Sequence, residues 1–344
     1  MSPAEPAKET AKETAKEAVN GEVVVRRARD DELGAVIELA SAALGWRAGE
    51  PNEALFRWKH LDNPFGRSPM WVAEVGGRLA GFRTFLRWEF RRADGSVARA
   101  VRAVDTATHP EFQGRGIFTT LTLGALAELQ EEGVDFVYNT PNSQSRPGYL
   151  KMGWQVVGRP PVKVRPSSPA ALMRMLRARV PAGKWSLPAP AGEQPAAVFA
   201  DRSVAGLLDA QPPAPGITTN RSPGFLAWRY GLEPLQYRVL LRGSSPGEGL
   251  VVYRLRPRGA AVEAVVAEVL VPPGDRRAER ALLAELEGVT GADYLIRIER
   301  GWRPRHRFVP LPRQGPILTW RSVCQTEMPP LEQWYVVLGD IELF

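Results

Sequence analysis

The sequence predicts an α/β (α+β) protein with a mixed central sheet in each of two tandem halves. Three observations carry this. Over residues 22–157 the patterns run strand, two helices, three strands, helix, strand, helix, strand, and the meander in the middle excludes a doubly wound parallel sheet. The same order returns in outline in the last third of the chain, which reads as a diverged internal duplication. The length, 344 residues, exceeds one typical domain and suits two.

Residues 1–20 repeat Ala-Lys-Glu-Thr in tandem with balanced charge and no apolar face, which predicts a mobile tail. Val23-Val24-Val25 reads as a strand. Leu33, Val36, Ile37 and Ala40 form the stripe of a helix opened by Asp30-Asp31. A second helix includes Leu55, Phe56 and Trp58 and stops before Asn63-Pro64. Met70–Val75 and Leu79–Phe90 predict strands joined by the turn Gly76-Gly77, and Val97–Thr108 predicts a third. A helix follows over 115–132, ended by Gly133. Val134–Asn139 is a strand, Ser145–Met152 a short helix, and Trp154–Val157 another strand.

Residues 158–184 hold seven basic side chains and no acidic one. Ser168-Pro169 predicts the start of a basic helix, and Pro and Ala then dominate to Pro215, which predicts a surface connection. Phe225–Arg229 followed by Pro234 echoes Phe56-Arg57-Trp58 followed by Pro64. Tyr237–Leu241, Gly249–Leu255 and Ala261–Val271 are strand-like, Arg276–Glu287 is helical, and Tyr294–Ile298 is a strand. The chain thus divides into a tail (1–20), a first domain (21–165), a basic and Pro/Ala-rich linker (166–215) and a second domain (216–344).

Apolar residues make up 44% of the chain, enough for real cores. One cysteine, Cys324, excludes an internal disulfide and a cysteine-based metal cluster, and His60, His109 and His306 show no ligand spacing. No apolar run approaches the roughly 20 residues that span a bilayer, and the N-terminus lacks the pattern of a signal peptide. A cytoplasmic protein without a structural metal is the expectation. The net charge of +7 suits a polyanionic ligand, and no nucleic-acid-binding motif is present.

Chemistry concentrates in Val104-Asp105-Thr106-Ala107-Thr108-His109-Pro110-Glu111-Phe112-Gln113-Gly114-Arg115-Gly116-Ile117-Phe118. A strand enters a glycine-bearing loop that opens a helix. Glycines permit close backbone approach, and the free amides of a first helical turn bind anions. The segment lacks the Gly-Lys-Ser/Thr ending of a P-loop and the third glycine of the dinucleotide fingerprint.

In context the segment resembles the phosphate loop of the GNAT (Gcn5-related) N-acetyltransferases, Gln/Arg-x-x-Gly-x-Gly/Ala, with Gln113, Gly116 and Phe118 at the defining positions. Phe118 departs from the usual small residue. A second motif resembles the family's Asn-x-x-Ala-x-x-x-Tyr-x-x-x-Gly-Phe: here Asn142, Ser145, Tyr149, Gly153 and Trp154 keep the spacing. The resemblance covers roughly residues 22–165. In the second half, Pro272-Pro273-Gly274-Asp275-Arg276-Arg277 lacks the glycine pair, so a degenerate GNAT-like domain that binds no cofactor is expected there.

The resemblance implies an acetyl-CoA-dependent N-acetyltransferase acting by direct attack of an amine. Acetyl-CoA would lie where the strands Val104–Thr108 and Val134–Asn139 splay. The backbone of Thr106, Ala107 and Thr108 would hold the pantetheine arm, and Gln113, Gly114, Arg115, Gly116, Ile117 and Phe118 the pyrophosphate. Asn139, Asn142 and Ser145 would complete the cofactor site. Tyr149 would protonate the leaving thiolate. Asp105 is the nearest acid for a base, although strand alternation sets it opposite Thr106 and Thr108. The acceptor, a small-molecule primary amine such as an amino sugar or an aromatic amine, would meet Trp58, Asn63 and Arg146; core packing explains Trp58 equally well. An apolar strand-like run, Trp334–Leu338, precedes the last residues, and Asp340, Glu342 or the carboxylate of Phe344 is a further candidate base; a strand completing the second sheet is the alternative. A non-catalytic acyl-CoA sensor and an aminoacyltransferase with tandem GNAT-like halves are competing functions.

Overall fold

A computed structural model describes residues 21–301, 306–311 and 313–342. The Ala-Lys-Glu-Thr stretch and Phe344 lie outside the described residues. In chain order the first half comprises β1 (Val23–Arg27), α1 (Leu33–Ala43), α2 (Asn52–His60), β2 (Met70–Val75), β3 (Arg78–Arg91), β4 (Val97–Thr108), α3 (Ile117–Glu131), β5 (Phe136–Asn139), α4 (Arg146–Lys151), β6 (Gln155–Gly158) and β7 (Val162–Pro166). The connection holds α5 (Pro169–Arg177), α6 (Pro195–Phe199), α7 (Arg202–Asp209) and β8 (Thr218–Thr219). The second half adds α8 (Pro223–Gly231), β9 (Arg238–Leu241), β10 (Leu250–Arg258), β11 (Ala261–Leu270), α9 (Arg276–Thr290), β12 (Tyr294–Ile298), β13 (Val309–Pro310), β14 (Leu318–Ser322) and α10 (Leu338–Ile341).

These strands form two mixed sheets. The first has the order β1-β2-β3-β4-β5-β14-β6, with β8 beside β3; the second has the order β13-β7-β12-β11-β10-β9. Each contains one parallel pair, β4 with β5 and β11 with β12. In each, the strand beyond that pair comes from the far side of the expected domain boundary. β14 lies antiparallel between β5 and β6, and β7 lies antiparallel between β12 and β13. The boundary at 165 is therefore no clean cut: Val162–Arg165 belongs to the second sheet and Leu318–Ser322 to the first.

Period-two alternation along β3 sends Leu86, Trp88 and Phe90 to the interface with the second half, where they join one core with Phe225, Tyr230, Val252 and Val265. Phe85 faces the other way, packing with Leu121, Ala125 and Leu129 of α3. At the seam, Trp58 of α2 stacks on Trp228 of α8, with centroids 4.7 Å apart and planes 19° from parallel. Each indole N–H donates to the other residue's carbonyl, at 2.8 and 3.0 Å. This reciprocal contact joins the two matching segments seen in the sequence.

Two expectations need correction. The stretch 166–215 is more than a surface connection, because α6 and α7 bury Val198, Phe199, Val204 and Leu207 in the shared core. The run Trp334–Leu338 forms no strand. Trp334 makes a single bridge to Ile217 and donates its indole N–H to the Pro329 carbonyl. At the residue after Val337, Leu338, α10 begins, with the Asp340 carboxylate accepting from the Val337 amide.

Because the sheets exchange strands and share one core, the halves should unfold together. Far-UV circular dichroism and tryptophan fluorescence are expected to give coincident denaturation curves. Trp58→Ala should lower stability by about 3–5 kcal/mol in the same assay; two separate transitions would contradict the shared core.

Candidate active site

The site begins where a ladder stops. β4 and β5 pair in parallel only at Ala100–Phe136, Val101–Val137 and Arg102–Tyr138. Beyond them the two strands run without a shared ladder, so on that side the backbone of Thr106, Ala107 and Thr108 is not used in the sheet. Two of the side chains are engaged elsewhere: the Thr106 hydroxyl donates to the Phe82 carbonyl at 3.0 Å, and Ala107 packs with Val36, Phe56 and Phe82.

After β4 the chain turns through Pro110–Phe112, capped by the His109 ring, and the buried Phe112 anchors the turn. Gly114 and Gly116 follow with φ of 77° and 73°, a region that disfavours side chains. A Cβ at either glycine would meet nothing within 4 Å. The loop thus faces open space, and Gly116, the residue before α3, has no side chain to occupy the free amides of the first turn. Ile117, Leu121, Ala125 and Leu129 pin α3 to the sheet, so the helix presents its N-terminus beside the ladder break. Gln113 ends the preceding turn, and Arg115 donates to the Gly21 carbonyl at 2.5 Å.

Phe118 fills the gap between α3 and α4. Its ring meets Tyr149 edge-on at 5.3 Å, and a Cβ on Gly148 would lie 3.2 Å from it. Tyr149, 4% exposed, also lies against Trp154. The Tyr149 hydroxyl accepts a 2.5 Å hydrogen bond from Arg83 of β3. Arg83 was not found by sequence reasoning, although an arginine within the apolar run Gly81–Leu86 is a visible signal.

Three of the expected cofactor contacts are structural. Asn142 accepts from the amides of Gln144 and Ser145 and from the Ser145 hydroxyl, fixing the start of α4. Asn139 is buried and accepts from Thr319 of the exchanged strand at 2.5 Å. The expected acceptor residues separate. Trp58 belongs to the seam. Asn63 is buried, donating to the Arg87 carbonyl and accepting from the Phe65 amide. Arg146 opens α4 and is half-buried.

Asp105 is the extra residue of a bulge, since Thr84 pairs with Val104 and Arg83 with Thr106. Its φ is 40°, a strained value for a side-chain-bearing residue. The carboxylate accepts from Lys59 Nζ and from His60 Nε2, the latter at 2.8 Å. His60 in turn meets the Ser68 hydroxyl through Nδ1 at 2.9 Å. Burial alone would raise the Asp105 pKa, but Lys59 and His60 outweigh it and hold the group far below the usual carboxylate range. A carboxylate so stabilised is a weak proton acceptor. Burial pushes His60 down, more than Asp105 raises it.

The other candidate bases are also committed. Asp340 is paired with Arg221 at 2.9 Å. Glu342 meets Arg254 at 3.0 Å, lies near Arg256, and accepts from the Tyr237 hydroxyl. Burial opposes its ionisation, yet Arg254, Arg256 and Arg229 prevail and its pKa is lowered. Arg102, at the last rung of the parallel ladder, donates to the carbonyls of Asp340 and Ile341 and to the Thr140 hydroxyl. The C-terminal segment is thereby held at the ladder break through its backbone. Outside this region Glu279, Glu299 and His306 lie close enough to share a cation, but Arg297 and Lys163 already balance the two carboxylates.

Burial pushes the His60 pKa below its ordinary value, so the unfolded chain takes up a proton first as pH falls; this group's share of stability is present above the ordinary imidazole value and declines as pH drops. Denaturation at pH 7.5 and 5.5 should show lower stability at the lower pH. His60→Gln should remove that share of the loss, and an unchanged pH dependence would contradict the assignment.

Residues 24–157 match the family model of an acetyltransferase (GNAT) domain. No curated protein matches the chain. Among solved structures, a probable N-acyltransferase of unknown function from Enterococcus faecalis superposes with a TM-score of 0.64 at 15% identity, over 88% of this chain and 73% of that one. A GCN5-related N-acetyltransferase from Anabaena variabilis gives 0.63 at 13%, with the same shares. Eis1 from Mycobacterium abscessus gives 0.54 at 15%, over 88% and 74%. These likenesses establish a common fold. No helix among the described residues is long and apolar enough to cross a membrane.

Proposed function

We propose that this chain, an acyltransferase whose residues 24–157 form a GNAT acetyltransferase domain, moves an acetyl group from acetyl-CoA to the primary amine of a small molecule. The observation that carries the reading is the open loop at Gly114 and Gly116, which opens α3 beside the break in the β4–β5 ladder. The amides of Gln113–Phe118 would hold the pyrophosphate, and the backbone of Thr106–Thr108 on the edge that faces β5 the pantetheine arm. The amine attacks the acyl carbon, a backbone N–H polarises the carbonyl oxygen, and Tyr149 gives its proton to the departing thiolate. Arg146, at the head of the tyrosine helix, is the remaining acceptor contact; Trp58 and Asn63 serve the scaffold.

The test is thiol release from acetyl-CoA across a panel of amines, with products identified by mass. Release that requires an amine supports the transferase, whereas binding without turnover would indicate an acyl-CoA sensor, and dependence on aminoacyl-tRNA an aminoacyltransferase. Gly116→Glu places bulk and charge in the cradle and should weaken acetyl-CoA binding at least tenfold by calorimetry, about 1.4 kcal/mol. Unchanged affinity in a folded variant would remove the loop from the site.

Tyr149→Phe should lower kcat by about 10²-fold with little change in acetyl-CoA affinity, the pattern of a lost general acid. A parallel loss of stability and affinity would assign the ring to packing.

A further inference from the structure

Arg83 is fully buried in the middle of β3, yet among the described residues it has no carboxylate partner. Its Nε and Nη1 meet no acceptor, and its single polar contact is the bond from Nη2 to the Tyr149 hydroxyl. Aromatic faces surround the rest: the guanidinium carbon lies 5.0 Å from the centre of Phe85, 5.5 Å from Phe118 and 5.3 Å from Tyr149. Cation–π attraction recovers part of the lost hydration. Burying a charge with two N–H vectors unsatisfied is still costly, and a long apolar side chain would fill the same space without that cost. Stability therefore does not explain this residue.

We propose that Arg83 is the positioning residue of the acid–base step, holding the Tyr149 hydroxyl and stabilising the phenolate formed when its proton leaves. The inference rests on the assignment of Tyr149 as the acid. With Arg83 donating to the oxygen, the phenol's own hydrogen must point elsewhere, which leaves it free for a sulfur. As the amine nitrogen bonds to the acyl carbon, the carbon–sulfur bond breaks and its electron pair stays on sulfur. The sulfur takes the Tyr149 proton and leaves as the thiol, and the negative charge moves to the phenol oxygen, 2.5 Å from Arg83 Nη2. A donor already aimed at that oxygen stabilises the charge as it develops. The phenolate regains a proton from solvent once the thiol has gone, and the acetylated ammonium loses its surplus proton to water. Phe118 completes the arrangement, because a small residue there would let water reach the guanidinium.

Five proteins test this: wild type, Arg83→Met, Arg83→Lys, Tyr149→Phe and the double Arg83→Met/Tyr149→Phe variant, each assayed for kcat with acetyl-CoA and a turned-over amine, acetyl-CoA affinity and Tm. Arg83→Met is expected to keep or raise Tm, to leave affinity within about threefold, and to lower kcat by at least tenfold. In the Tyr149→Phe background the same change should have no further effect on kcat, since the two groups act as one unit. Arg83→Lys, which keeps the charge, should recover part of the rate. An Arg83→Met protein with wild-type kcat overturns the proposal, as does an additive loss in the double variant. A large drop in Tm would assign Arg83 to packing and overturn it as well. Wild-type kcat in Tyr149→Phe alone would instead remove the acid assignment, and this proposal with it.

Discussion

The exchange of β7 and β14 is the constraint from which the rest of the molecule follows. A parallel pair needs a neighbour on its open side, because unpaired backbone at a sheet edge is costly when covered. Here β5 receives β14 and β12 receives β7, so neither sheet is complete without the other half. The exchange also places Thr319 against Asn139 in the first sheet. The segment Leu338–Ile341 then lies near the β4–β5 ladder, where Arg102 grips the backbone of Asp340 and Ile341. The Trp58–Trp228 contact fixes the seam from the other side, so the geometry around the β4–β5 ladder break depends on both halves.

Buried charge is the second theme. Arg102 is fully buried with its pKa lowered to about 10, burial being the chief cause. Arg221, Arg229 and Arg254 are likewise deep, and they engage Asp340, Glu342 and C-terminal carbonyls. Such networks rarely add stability over a well-packed apolar core, but breaking one partner is expensive. Their effect here is to give the last described turn a single position. Arg83 differs in kind: among the described residues its one polar contact is an aromatic hydroxyl, and its Nε and Nη1 meet no acceptor.

Much of this was legible in the sequence. The strand meander, the helices around Leu33 and Leu121, the two motifs and the matched Trp58 and Trp228 segments all have local signatures, and local patterns survive folding. The exchange left no such mark. Val162–Arg165 and Leu318–Trp320 are short runs of alternating apolar and polar residues, and their pattern suits either sheet; only the partner decides, and partners are non-local. Trp334–Leu338 misled for a related reason, since two adjacent valines read as strand while a side chain three residues on, Asp340, turned the backbone instead. Asp105 was legible as a lone acid in a strand but not as a bulge, because the bulge is set by its register with Arg83 and Thr84. Asn142 and Ser145 were found through their motif, yet their side chains serve the turn that presents Tyr149.

The two halves differ at the loop that precedes the long helix of each. In the second half the ladder of β11 and β12 ends at Val265 and Ile296, and α9 follows β11 as α3 follows β4. The equivalent anion site is closed from within. Asp275 precedes α9, and its carboxylate accepts from the Ala278 amide at 2.8 Å, so a side chain takes the place a phosphate would need. It also brings negative charge to the helix N-terminus, which repels a second anion. At the matching point Gly116 offers neither atom nor charge, and its left-handed backbone turns the amides outward. The difference between the two loops comes down to aspartate against glycine at the residue before a helix.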